Sequence, residues 1–184
     1  MRYIIMCLAG AFALALSSIS TVDRCGWARK ESAVVPAVGD FVETQDRRLR
    51  SSVQRVAALA HLHVPAVCEV HETPLWAYAL IPVRKNHGDI IVVKRSLVRA
   101  LSDRALDGLM AHELGHIARA QSLGVTKGYS QIEELETDRL AAGWVGPEAV
   151  KEVLMFIHRE RERAGRTNQF ELKLRIITLQ AMRK

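Results

Sequence analysis

One pentapeptide constrains this chain more than anything else in it: His112-Glu113-Leu114-Gly115-His116, set in an apolar stretch. Leu109, Met110, Ala111, Leu114, Ile117 and Ala118 recur at helical spacing around it. They predict a core helix from about Asp103 to Leu123, with Ser102 as its N-cap and Gly124 as its stop. Two imidazoles and a carboxylate on a buried helix need partners or a metal. Residues four apart share a helix face, so His112 and His116 can both reach one Zn²⁺ at about 2.0–2.1 Å. Glu113 stands beside them as a general base for metal-activated water. The pattern arises by chance in roughly 2% of chains of this composition. A solvated helix that happens to carry two histidines is the plain alternative. Gly115 in a helix interior costs about 1 kcal/mol relative to Ala and predicts close approach of another backbone.

A catalytic zinc takes a third protein ligand and keeps one position open. Arg119 and Ser122 occupy the places where a metzincin has Gly and a third His. The acidic run Glu133-Glu134-Leu135-Glu136-Thr137-Asp138 is the remaining supplier. Glu134 and Asp138 share a helix face, so Glu134 can ligate the metal while Asp138 orients a ligating His through its other ring nitrogen. Glu133 completes a capping box with Ser130. Glu136 lies about 160° from Glu134 on the helical wheel and is expected in solvent. Dipole compensation at a helix start is the simpler account of such a run, and its pairing with the two histidines favours the metal.

The surrounding pattern predicts mixed secondary structure. Apolar positions from Phe41 to about Leu62 form a helical stripe, with Arg47, Arg48, Arg50 and Arg55 on a solvated face. Short β-rich runs follow at Val67–His71, Trp76–Ile81 and Asp89–Val93, joined by turn residues, and predict a small antiparallel sheet. Ile90, Ile91, Val92 and Val93 are continuously apolar, so both faces of that strand are expected to be covered or in use. Gly146-Pro147 ends the acidic helix and begins the next, which runs to Gly165. Asn168 is expected to cap a last helix from Gln169 to about Met182. The charges at 159–163, RERER, are read as an interleaved solvated face. His61 and His63 are read as surface residues, and Trp76, Trp144 and Phe156 as core. His158 and Tyr129 are candidate transition-state donors only.

The chain has 184 residues, with 49% hydrophobic and 25% charged, which fits one folded domain and excludes disorder as its main state. Its net charge of +6 admits nucleic acid or acidic membrane as partners. Residues 1–20 open with Met1-Arg2, continue apolar to about Leu16 and end in small residues. They are read as a signal peptide or an N-terminal membrane anchor. Either sends the rest of the chain across a membrane, places it in the periplasm, outside the cell or at the membrane surface, and weakens a nucleic-acid reading of the charge. Export also permits a disulfide between Cys25 and Cys68. Residues 21–40 show no period and are read as a linker or N-terminal arm, leaving 41–184 as the functional domain.

Taken together, the chain resembles the gluzincin metallopeptidases of the Ste24/HtpX/Oma1 type, family M48. The likeness rests on Ala77-Tyr78-Ala79, then Gly88 to Val93, the segment Leu97–Leu106, His112–His116 and Glu134-x-x-x-Asp138-x-x-Ala141. A Gly-x-Pro-like break and Arg175-Ile176 add to it, so the likeness spans roughly residues 45–180. Thr167-Asn168-Gln169 stands where family members often carry His-Pro, and no role for Arg175 follows. The resemblance implies an α+β, zincin-like, mostly helical fold with a small sheet. It implies Zn²⁺ on His112, His116 and Glu134, Glu113 as base, and Asp138 behind a ligand. It also implies endopeptidase action on protein or peptide substrates, docking as a strand beside Ile90, Ile91, Val92 and Val93. The multiple membrane spans of large members are missing. A non-catalytic, metal-stabilised scaffold on the same fold is the competing reading; a nucleic-acid-associated metalloprotease is a weaker third.

Overall fold

The structure, a computed structural model, describes residues 23–31, 39–73, 75–81, 88–123, 130–166 and 169–182. The expected signal or anchor at 1–20, the stop at Gly124, Tyr129 and the cap at Asn168 lie outside the described residues. In chain order the elements are α1 (Arg24–Glu31), β1 (Val42–Glu43), α2 (Arg47–Leu59), β2 (Ala66–Val70), β3 (Ala77–Leu80) and β4 (Ile90–Lys94). Then come α3 (Arg95–Ala100), α4 (Asp103–Leu123), α5 (Gln131–Val145), α6 (Pro147–Arg163) and α7 (Phe170–Ala181). The fold is mostly helical with one small sheet, as expected for α+β.

The sheet is mixed, which corrects the antiparallel expectation. Its order is β1-β2-β4-β3. β1 runs antiparallel to β2 and β3 antiparallel to β4, but β2 and β4 are parallel, with Ala66 opposite Ile90 and Val70 opposite Lys94. The chain leaves β2, forms the outer strand β3, and returns to insert β4 between them. A continuous apolar strand suits that interior place, because both of its faces are covered. Ile91 and Val93 join Val67, Leu106, Met110 and Leu114 on the helical side. Ile90 and Val92 join Ala66, Cys68 and Val70 on the other. The same placement overturns the expectation that Ile90, Ile91, Val92 and Val93 border a substrate strand. β4 is bonded on both sides, and the outer strand is β3.

Behind the sheet lies α1. Cys25 and Ala28 pack into the second cluster, and a disulfide joins Cys25 to Cys68 of β2 with their Cα atoms 5.7 Å apart. Part of the segment read as an irregular arm is therefore a helix. Eight residues with a glycine at the third leave too little length for an apolar stripe to register.

The stripe read as one helix from Phe41 also divides. Val42 and Glu43 pair with Glu69 and Cys68, and the helix begins at Arg47 because Asp46 caps it. The Asp46 carboxylate accepts from the backbone N–H of Arg48 at 2.8 Å and of Leu49 at 3.1 Å. Two of the arginines expected in solvent tether α2 to α4: Arg48 to Asp103 at 2.6 Å and Arg55 to Asp107 at 2.5 Å.

Helix α4 runs through the middle, packed on α2, α5, α6 and β3. Two of its glycines set those distances. A Cβ at Gly108 would lie 2.3 Å from the Ala149 carbonyl oxygen, and one at Gly115 would lie 2.7 Å from Cγ2 of Thr137. Ser130 caps α5 by accepting from the Glu133 N–H at 3.1 Å, and Gly146, at φ +85°, separates α5 from α6. Among the described residues no helix is long and apolar enough to cross a membrane.

Candidate metal centre

Helix α4 projects His112 and His116 from one face, and the first turns of α5 bring Glu134 and Asp138 against them. Thr137, between the two acids, touches Gly115, so the glycine lets both acids reach the histidines. The Nε2 atoms of His112 and His116 are 3.2 Å apart. Glu134 meets His112 Nε2 through Oε2 and His116 Nε2 through Oε1, each at 3.3 Å. Among the described residues these three form the group able to hold a metal ion.

The donor set fits zinc. Two imidazoles and one carboxylate are a zinc set, and tetrahedral ligands 2.0–2.1 Å from the ion stand about 3.3–3.4 Å from one another. The separations here match that edge. Glu113 is 4% exposed and its Oε2 has no hydrogen-bond partner among the described residues. That orphaned oxygen lines the same cleft as the two histidines.

The charges are arranged by a residue that sequence reasoning missed. Arg175 of α7 is 7% exposed. Its Nε donates to Asp138 Oδ2 at 2.6 Å, Nη2 to Oδ1 at 2.8 Å, and Nη1 lies 2.7 Å from Glu134 Oε2. Asp138 Oδ1 also accepts from His112 Nδ1 at 2.9 Å. With Nδ1–H committed to Asp138, loss of the second ring proton leaves the Nε2 lone pair facing Glu134 and His116. The signal was present: Leu172, Arg175 and Leu179 fall on one buried face of α7, an arginine in an apolar stripe.

These contacts set the proton affinities. Burial works against a charged His112, but its hydrogen bonds to Asp138 and Glu134 outweigh that and push its pKa up to about 9. Burial likewise opposes charge on Glu134 and Asp138. Bonds from the histidines in the first case, and from Arg175 and His112 in the second, hold both below the usual carboxylate range. Glu113 has no such bonds, and burial raises its pKa.

The centre opens into a cleft of about 430 Å³. One wall is the outer strand, with Trp76, Ala77 and Ala79; the other is α6, with Val150, Val153, Leu154 and Ile157. Trp76 stacks edge-on against Phe156, with ring centroids 6.2 Å apart, and so borders the cleft rather than only filling core. Glu136 points away from the centre, half exposed, and pairs with Arg119. His158 pairs with Glu162 and lies outside the cleft lining, and His61 sits at the α2–β2 join with φ 55°.

No solved structure matches the chain. A family model described as peptidase family M48 matches residues 43–133. That span runs from β1 to the first turn of α5. It contains His112, Glu113 and His116 and stops one residue before Glu134, whose place at the centre rests on the geometry. The matched residues thus carry the whole of β2, β3, β4 and the histidine helix beside them, and the match supports an M48-family metallopeptidase.

Proposed function

We propose that this protein is a zinc endopeptidase acting on protein or peptide substrates outside the cytoplasm, with residues 41–184 as its peptidase domain. One observation carries the reading. His112, His116 and Glu134 converge at zinc-ligand spacing beside the unpartnered Oε2 of Glu113.

Zinc on those three ligands supplies the charge that acidifies a water and polarises the scissile carbonyl. The residues do the rest. Glu113 Oε2 accepts the proton of the attacking water and returns it to the leaving nitrogen, and burial raises its proton affinity, which favours the first transfer. Asp138 holds the His112 tautomer, and Arg175 holds Asp138. The outer edge of β3, Ala77–Leu80, the last strand of the sheet among the described residues, takes the role expected of Ile90–Val93. A substrate segment adds there as a strand, with its side chains against the apolar wall of α6. Export is supported by the charged and apolar character of residues 1–20 and by the Cys25–Cys68 disulfide, which an oxidising compartment favours.

The test is zinc content and casein hydrolysis of wild type, Glu113→Gln and Glu134→Ala. Glu113→Gln should bind zinc like wild type and lose about 10²–10⁴-fold in rate. Glu134→Ala should bind zinc more weakly, and a chelator should stop wild-type hydrolysis until zinc is returned. Undiminished cleavage by Glu113→Gln would remove the mechanism, and unchanged zinc affinity in Glu134→Ala would remove the third ligand.

A further inference from the structure

The charged run at 159–163 does not form the uniform solvated face expected of it. Arg163 pairs with Glu160 and His158 with Glu162, but Arg161 turns inward and lines the cleft. It continues the stripe of α6 that includes Val150, Val153, Leu154 and Ile157. Gly108 packs on Ala149 and Val150 at the start of that stripe, and Arg161 stands about 16 Å further along the helix. Its Nε is shielded from solvent and has no hydrogen-bond partner, and it makes no ion pair among the described residues. The other arginine of the cleft, Arg175, is committed to Asp138 and Glu134. The cleft therefore has one apolar wall ending in a guanidinium whose charge nothing in the described chain answers.

We propose that Arg161 determines specificity by binding a carboxylate of the substrate, deepening the peptidase reading on which it rests. A guanidinium presents paired N–H donors that match the two oxygens of a carboxylate, and shielding strengthens that bond. Strand residues advance about 3.3 Å each. The distance of about 10 Å from Leu154 to Arg161 along α6 thus puts the acidic group about three residues from the side chain that meets Leu154. The carboxylate comes from a Glu or Asp side chain or from a peptide C-terminus, and the acid and amide arms of the test separate the two.

Zinc-loaded Glu113→Gln, which should bind without turnover, is titrated with matched peptides while Trp76 in the cleft reports binding by fluorescence. One series exchanges Glu for Gln at successive positions; another exchanges a C-terminal acid for its amide. The acid member should bind on the order of tenfold tighter at one position or at the terminus. Adding Arg161→Gln should erase that difference, and Arg161→Glu should transfer the preference to Lys. Equal binding of acid and neutral members, no peptide binding, or a preference that survives Arg161→Gln would overturn the inference. So would a drop in kcat, in the otherwise wild-type chain, that is equal for acidic and neutral peptides, because Arg161 would then serve the reaction itself. Casein hydrolysis by the wild type is read separately: its absence removes the peptidase reading, and its presence without acid preference removes only the role of Arg161.

Discussion

Stripped of metal, His112 should keep a proton at neutral pH, since its pKa stands at about 9 against an ordinary value near 6.5. A pKa raised on folding stabilises fully below the unfolded value and loses that contribution as pH rises through the folded one. Chelated protein should therefore lose stability between about pH 6.5 and 9, in step with this residue. Zinc must displace the same proton, so metal uptake at pH 7.5 should release protons. Calorimetric titration in buffers of different ionisation heat measures this, and uptake without release would contradict it. Asp138→Asn should lower both the release and the zinc affinity, the latter by about 10–100-fold. At this scale the centre was largely legible, because four-residue spacing on two helices is a strong geometric statement for His112, His116, Glu134 and Asp138. Arg175 and Arg161 were not. Arginines on helices default to solvent, and only the packing of α6 and α7 turns these two inward.

Between elements, the spacing of α4 and α5 depends on the missing side chain at Gly115. Gly115→Ala gains about 1 kcal/mol of helix propensity. It also places a methyl 2.7 Å from Thr137 Cγ2. We expect a net loss of about 1–3 kcal/mol from the forced separation, with weaker zinc binding because Thr137 lies between Glu134 and Asp138. Thr137→Ser, which removes Cγ2, should recover part of both losses in the double variant. Denaturant melts and zinc competition read the two effects, and a stabilised Gly115→Ala protein would refute the close-contact account. The positions of β2, β3 and β4 were legible from composition, within a residue or two. Their order was not: nothing local in Ile90–Val93 says that the strand runs parallel to β2 and is flanked on both sides. The start of α2 was obscured by Val42, which fits a helical stripe and a strand equally well, and Asp46 decided the boundary.

For the whole molecule, the Cys25–Cys68 bond closes a long loop, its ends separated by 43 in sequence. Cys25→Ser with Cys68→Ser should lower stability by about 2–4 kcal/mol. Zinc affinity should hold, because α1 lies behind the sheet and the centre in front of it; a parallel loss of zinc would mean that the two faces are coupled. The chain composition admitted one domain and three cysteines admitted one bond, but neither could say which face that bond closes. That face has a steric consequence. The described residues begin at Asp23, one residue before α1 and so behind the sheet. Were the first twenty residues kept in a bilayer, two residues would join them to Asp23, so the rear of the sheet would be the side held toward the lipid and the metal centre would lie across the sheet from it. An enzyme moored in that way would reach chains passing through the surrounding fluid more readily than stretches emerging from the membrane at its own point of attachment.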